Sequence, residues 1–249
     1  MITVIKQNDA VTEYLERDKY VNLNAIEFLR NSSDADVFLY NEDIENGLII
    51  GEQARDFFYL ATVDPGFMHE FWQSLDAGHK CFSGVPKPMA LVFQKDKDVL
   101  WQSPCKVYTL KGAHEPVEGV IYKNESLVLA DAEEVDKYYT YKSDHSLDYI
   151  RENITMRDSS CIRIDGRLAS WCAVHQEDNS MGPLYTKEEY RGKGLAAVVA
   201  SRLIEKLVAK NVIPFVQIVE SNDVSLHLAE RLNGMEYTHD CIWFGIEKN

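Results

Sequence analysis

The run LYTKEEYRGKGLAAVVASRLIEKLVAK, residues 184–210, constrains the fold more than any other stretch. A short apolar segment meets a charged turn, and then Gly192 and Gly194 are flanked by Arg191 and Lys193. Beyond the turn, Leu195, Val198, Val199, Leu203, Leu207 and Val208 recur at helical spacing and predict one apolar stripe. Strand, glycine turn and helix in this order aim the free N–H groups of the first helical turn back into the loop. The glycines reach backbone conformations barred to other residues and let a ligand approach closely. Arg191 and Lys193 add positive charge. Such a turn suits an anion, a phosphate above all. The plain alternative is a solvated basic turn.

That basic turn sits in an acidic chain. The net charge is −14 over 249 residues. This balance argues against nucleic acid or anionic lipid as partners and favours cationic ones, or serves solubility alone. The 45% hydrophobic content is enough for one large or two modest domains. No apolar run approaches the roughly 20 residues of a membrane span, and the opening MITVIKQNDA lacks the regions of a signal peptide. Cys81, Cys105, Cys161, Cys172 and Cys241 are scattered and form no CxxC pair. Free thiols in a reducing cytoplasm follow as the expectation, with no metal.

The second half reads clearly. DAEEVDKYY and SLDYIRENI predict short helices, the latter from Leu147, Ile150 and Ile154. CIRI and LASWCAVH around DGR predict a β-hairpin. MGPLYT predicts a strand, VIPFVQIV a buried strand with Pro214 at its start, VSLHLAERL a helix and CIWFGIE a last strand. In the first half, LNAIEFLR and GFMHEFWQSL predict helices, and VFLY, DFFYLAT, MALVFQ and CKVYTL predict strands. The fold class is α/β: a mixed sheet with helices on its faces. Two domains are expected, residues 1–124 and 125–249, with KGAHEPVEGV, residues 111–120, as the linker.

Three phosphate loops compete for the turn. The nucleotide-triphosphate loop needs GxxxxGK followed by Ser or Thr, and no such run occurs. The dinucleotide fingerprint is met formally by Gly192, Gly194 and Ala197, but KEEY and Arg191 separate it from its strand. Glu220 lies beyond the expected spacing of its acid. The third fits best: YTKEEYRGKGLA resembles the acetyl-CoA loop of the GCN5-related N-acetyltransferases (GNATs). PFVQIVESNDVSLHLAERLNGMEY is similar to that family's next strand, Asn, helix and Gly-aromatic end. The resemblance extends over residues from about Ser126 to Asn249. SSCIRIDGRLASWCAVHQEDNSMGPLYTKEEYRGKGL, with LADAEEVDKYY and WQSPCKVYTL, is similar to glycine N-acyltransferases and their bacterial relatives.

The resemblance implies a GNAT fold in the second half, preceded by a degenerate copy without a working CoA loop. It implies acetyl transfer from acetyl-CoA to a primary amine of a small molecule or peptide, by direct attack. Arg191, Gly192, Lys193, Gly194, Leu195 and Ala196 would hold the CoA pyrophosphate. A backbone N–H near Leu184, Tyr185 or Thr186 would meet the thioester carbonyl. Val219 would line the pantetheine arm, and Asn222 would bond it or cap the next helix. The first half would wall the acceptor site or make a homodimer contact. The competing reading is a non-catalytic CoA-binding or sensor module of the same fold.

The catalytic side chains depart from the family. Where many members carry a Tyr acid stands Ala229, and where the glycine acyltransferases carry a Glu stands Ser180. His175, Glu177 and Asp178 remain as candidate bases, and Tyr185 and His227 as candidate acids. Cys241, two residues after His239, is a weaker candidate for covalent catalysis. The acidic segment HQEDNS, residues 175–180, is expected either to steer an ammonium group or to form a solvated hairpin turn. A zwitterionic amino-acid acceptor, which the glycine acyltransferase likeness favours, would need a cation for its carboxylate.

Overall fold

The computed structural model describes residues 1–117 and 122–249. Its first elements are β1 (Ile2–Ile5), α1 (Asp9–Glu16), α2 (Leu23–Asn31), β2 (Asp36–Tyr40), β3 (Leu48–Glu52), β4 (Phe57–Ala61), α3 (Pro65–Ser74), β5 (Gly78–Pro86), α4 (Lys87–Gln94) and β6 (Val99–Leu110). There follow β7 (Asn124–Glu125), α5 (Ala132–Lys137), α6 (Ser146–Met156), β8 (Ser159–Ile164), β9 (Arg167–Val174), β10 (Met181–Thr186), α7 (Leu195–Ala209), β11 (Phe215–Val219), α8 (Asp223–Arg231) and β12 (Met235–Lys248). Leaving 3-10 turns aside, one order runs twice among the described residues: strand, helix, helix, three strands, helix, strand, helix, strand.

The chain forms two compact units. One comprises Met1–Val107, Gln217–Asn222 and Thr238–Asn249, so it includes most of the chain's last strand. Its sheet runs β1-β2-β3-β4-β5-β12-β6-β11. β1 to β4 pair antiparallel, β4 and β5 parallel, and β5 and β12 antiparallel. Alternation in the strands loads both faces. Val37 and Leu39 of β2 join the core with α1 and α2, while Phe38 turns to the other core with Phe67 and Phe71 of α3 and Phe93 of α4. Both cores are apolar, and each fully buried Phe contributes about 2 kcal/mol.

The other unit comprises Tyr108–Val216 and Asp223–Tyr237. Its four-stranded sheet runs β10-β9-β8-β7, all antiparallel. Every residue of β9 from Leu168 to Val174 is buried, because both faces of the strand are covered. Cys161, Leu168, Trp171 and Ala173 pack with α5 and α6, and α7 packs on β8 and β9. The β8–β9 hairpin turns through Asp165 and Gly166, both at positive φ, as the Asp-Gly pair predicts.

Several expectations change. MALVFQ is not a strand: α4 occupies it, after Pro86 and with Pro88 in the first turn. Ala90 and Phe93 are buried at helical spacing while Leu91 and Val92 are exposed. In α7, Val208 is exposed and Ile204 takes its place in the buried stripe. The last strand begins before CIWFGIE, at Met235. The expected linker, residues 111–120, is bonded to its own unit where it is described. Within 111–117, His114 bonds Ser201 Oγ at 2.8 Å and Asn233 O at 3.0 Å, and the Val117 N–H donates to Ser201 Oγ at 2.9 Å. Residues 118–120 of that stretch lie outside the described residues.

Candidate functional site

The basic turn forms as expected between β10 and α7, after a 3-10 turn at Glu188–Tyr190. Gly192 and Gly194 have φ of 76° and 74°. That region costs most other residues about 1 kcal/mol or more. A Cβ built on either glycine meets nothing within 4 Å, so the space above both is open. Gly194 is the N-cap of α7 and no side chain closes the first turn. The N–H groups of that turn lack intrahelical acceptors by the geometry of any helix start.

Arg191 is anchored, not loose. Its Nε donates to Thr186 O at 3.1 Å, its guanidinium lies 5.6 Å from the Tyr185 ring centre, and an Nη reaches the Tyr185 hydroxyl at 3.5 Å. Lys193 Nζ lies 5.4 Å from the centre of the Tyr190 ring. Two cations thus flank an open helix N-terminus, where dipole and charge both favour an anion.

β10 is the edge strand of its sheet. Its register against β9 shifts between Met181 and Leu184, a bulge that contains the cis Gly182–Pro183 bond. Beyond the bulge, Leu184, Tyr185 and Thr186 pair with Cys172, Trp171 and Ser170. The Lys187 N–H donates to Ala169 O at 3.0 Å. Alternation therefore turns Tyr185's backbone toward β9 and the N–H groups of Leu184 and Thr186 outward from the sheet. The Tyr185 ring stacks on Tyr138 at 4.6 Å and packs on Trp171 at 5.2 Å.

A polar cluster lies at the start of β10. Tyr149 of α6 places its hydroxyl 3.1 Å from His175 Nδ1 and donates to Glu177 Oε2 at 3.2 Å. Burial, with Glu177 adding to it, holds the Tyr149 phenol well above its usual range. Tyr139, ring-stacked on Tyr149, is pushed up to about 12 by burial and by Glu177. Asp178 is buried, and one of its oxygens accepts both the Ser180 N–H at 3.0 Å and the Ser180 hydroxyl at 2.7 Å. Burial raises its carboxyl, against the pull of His175 and the two donors. Asp178 is therefore not a solvated turn residue, which corrects that part of the expectation. The same bonds make Ser180, itself buried, a structural partner of Asp178.

Of the other candidates, His227 is exposed on α8, with Nδ1 donating to Asp223 O at 2.7 Å. Ala229 is buried. Cys172 and Cys241 are buried, and burial pushes the Cys172 thiol up to about 12. Cys241 donates to Gln217 Oε1 at 3.3 Å. Val219 ends β11, its carbonyl accepts the Asn222 N–H at 2.8 Å, and both residues belong to the unit that holds the eight-stranded sheet. The structure thus brings His175 and Glu177 together, and Arg191 with Tyr185 and Thr186. Tyr149 escaped the sequence because nothing in SLDYIRENI distinguishes a Tyr beside the apolar stripe from a packing residue.

Residues 161–244 match the family model described as FR47-like protein. No curated protein matches the chain. Among solved structures, a Drosophila protein from a structural genomics effort is similar at 15% identity and TM-score 0.77, over 98% of each chain. An acetyltransferase from the GNAT family of Colwellia psychrerythraea is similar at 11% identity and TM-score 0.58, over 99% of this chain and 100% of that one. A GCN5-related N-acetyltransferase from Kribbella flavida is similar at 12% identity and TM-score 0.55, over 93% of this chain and 95% of that one. The mixed α/β architecture is thus the GNAT fold.

Proposed function

We propose that the chain is an acyl-CoA-dependent N-acyltransferase that moves acetyl from acetyl-CoA to a primary amine of a small molecule or peptide. One observation carries the reading: two positive-φ glycines beneath open space, flanked by Arg191 and Lys193, at the uncapped start of α7. The fold supports it, as does the FR47-like match, which spans the turn. In this reading the turn from Arg191 to Ala196 holds the CoA pyrophosphate. The outward N–H of Leu184 or Thr186 meets the thioester carbonyl as charge develops on its oxygen. The amine attacks directly, and His175, Glu177 and Tyr185 are the side chains assigned to proton handling.

Residues 125–249 form the transferase domain in this reading, and 1–124 a degenerate copy, which the repeated element order supports. Within the superfamily, the likeness of residues 159–195 to glycine N-acyltransferases makes amino acids the first acceptors to try. A non-catalytic CoA-binding module of the same fold draws on one observation, the buried Ala229 where many family members carry a Tyr acid.

Thermal shift with CoA, acetyl-CoA and NAD tests the ligand. A ligand at 100 times its Kd stabilises the folded state by about 2.7 kcal/mol. The expected result is a rise with CoA and acetyl-CoA and none with NAD. Thiol release across an amine panel then separates transferase from binding module. No rise with CoA would overturn both.

A further inference from the structure

The Tyr149 hydroxyl stands between His175 Nδ1, at 3.1 Å, and Glu177 Oε2, at 3.2 Å. A phenol has one proton to give, and a carboxylate can only accept. The proton therefore goes to Glu177, and the phenol oxygen accepts from His175 Nδ1–H. This fixes the imidazole in the Nδ1–H form and leaves the lone pair on Nε2. Nε2 faces the bulge of β10: a Cβ on Gly182 would lie 3.0 Å from it, so glycine keeps the ring's place free. The charged and titratable neighbours also include Asp178 on the same turn, Arg157, which donates to Gln176 O at 2.7 Å, and Tyr139, stacked on Tyr149.

We infer that His175 Nε2 is the general base of the acetyl transfer, and that Tyr149 and Glu177 are positioning residues that hold its tautomer. This rests on the acyltransferase reading above. The amine nitrogen bonds the thioester carbon, the amine proton passes to Nε2, the C–S bond breaks, and the imidazolium returns the proton to the departing thiolate. The products are the amide and free CoA, with His175 neutral again. Sequence alone put His175 and Glu177 in parallel as alternative bases; the geometry puts them in series, through a tyrosine on another element.

The tautomer can be read without turnover. Nitrogen-15 NMR of the full chain, with the His175 signals assigned by their loss in His175→Gln, should show the Nδ1–H form. Tyr149→Phe should abolish that preference, whereas Glu177→Gln, whose amide oxygen still accepts the phenol proton, should keep it. In thiol-release assays His175→Gln should lower kcat at least about 100-fold, the usual contribution of a general base. The KM for acetyl-CoA should stay unchanged. CoA-induced thermal shifts confirm that each variant is folded. An Nε2–H tautomer in the wild type, or wild-type kcat in His175→Gln, overturns the inference. A wild type that binds CoA but releases no thiol with any amine fails the transferase reading instead, and the base assignment with it, while the tautomer result stands.

Discussion

The Asp64 carboxylate accepts the Phe67 N–H at 2.7 Å and so closes the first turn of α3 with the protein's own anion. In the doubled element order α3 holds the place that α7 holds in the second half. There the N-cap is Gly194, with no side chain on the turn and open space above it. One helix start is filled by a built-in carboxylate and a Pro at its first positions; the other has neither. If residues 1–124 are a degenerate copy, as proposed above, the contrast gives that reading a physical meaning: the helix start of α3 is already satisfied by Asp64.

Asp64→Ala should therefore lower stability by about 1 kcal/mol, the usual cost of removing an N-cap. It should leave CoA affinity unchanged. Urea unfolding and calorimetry with CoA measure the two effects. A loss of CoA affinity in a folded Asp64→Ala protein would show that the first half takes part in binding.

At the other helix start, Gly194→Glu should remove measurable CoA binding while the chain stays folded. The side chain enters the open space and sets a negative charge against phosphate. Strain alone does not account for this, and Gly194→Ala separates the two. Alanine pays a similar cost for positive φ, about 1 kcal/mol in stability, but intrudes little and should retain most of the affinity. Equal affinity in wild type and Gly194→Glu would refute the phosphate turn.

The turn was legible because its signal is local: glycines, cations and a periodic helix lie within one short run of sequence. The β8–β9 hairpin was legible for the same reason, through Asp165 and Gly166. What the sequence hid depends on distant partners. MALVFQ is apolar throughout, and periodicity alone cannot separate a short buried strand from a helix. β5 was missed because it carries two glycines and a buried Lys80, whose charge is compensated by Asp56 at 2.6 Å from another element. The Tyr149 contacts with His175 and Glu177 join residues 26 and 28 positions apart.

Direct attack predicts no acyl-enzyme. Cys172 and Cys241 are buried, and a thiol pushed up to about 12, as Cys172 is, offers almost no thiolate near neutral pH. Cys172→Ala and Cys241→Ala should each keep kcat within about twofold, with a stability loss of about 1 kcal/mol from the vacated volume. Mass spectrometry after incubation with acetyl-CoA alone should find no acetylated cysteine. A stoichiometric adduct that an added amine discharges would overturn this.

The buried Asp178 gives a prediction with a definite sign. Its folded-state carboxyl is raised above the ordinary value of 3.8 by burial, so the folded chain holds the proton more tightly than the unfolded chain. The native state then binds more protons in that window, and stability falls as pH rises from about 4 through the folded value. Asp178→Asn is permanently neutral, and its amide oxygen can still accept from the Ser180 N–H and hydroxyl. The variant should match the wild type near pH 4, exceed it near pH 7, and show a shallower slope between them. Urea midpoints across that range give the measurement. The same variant bears on the acceptor. A buried carboxyl cannot steer a cation from solution, so Asp178→Asn should leave the salt dependence of the acceptor KM unchanged. An acceptor KM that rises severalfold and loses its salt dependence in Asp178→Asn would restore the steering role. A wild type more stable than Asp178→Asn at neutral pH would instead mean that the ionised carboxylate, held by Ser180 and His175, is the form the fold prefers.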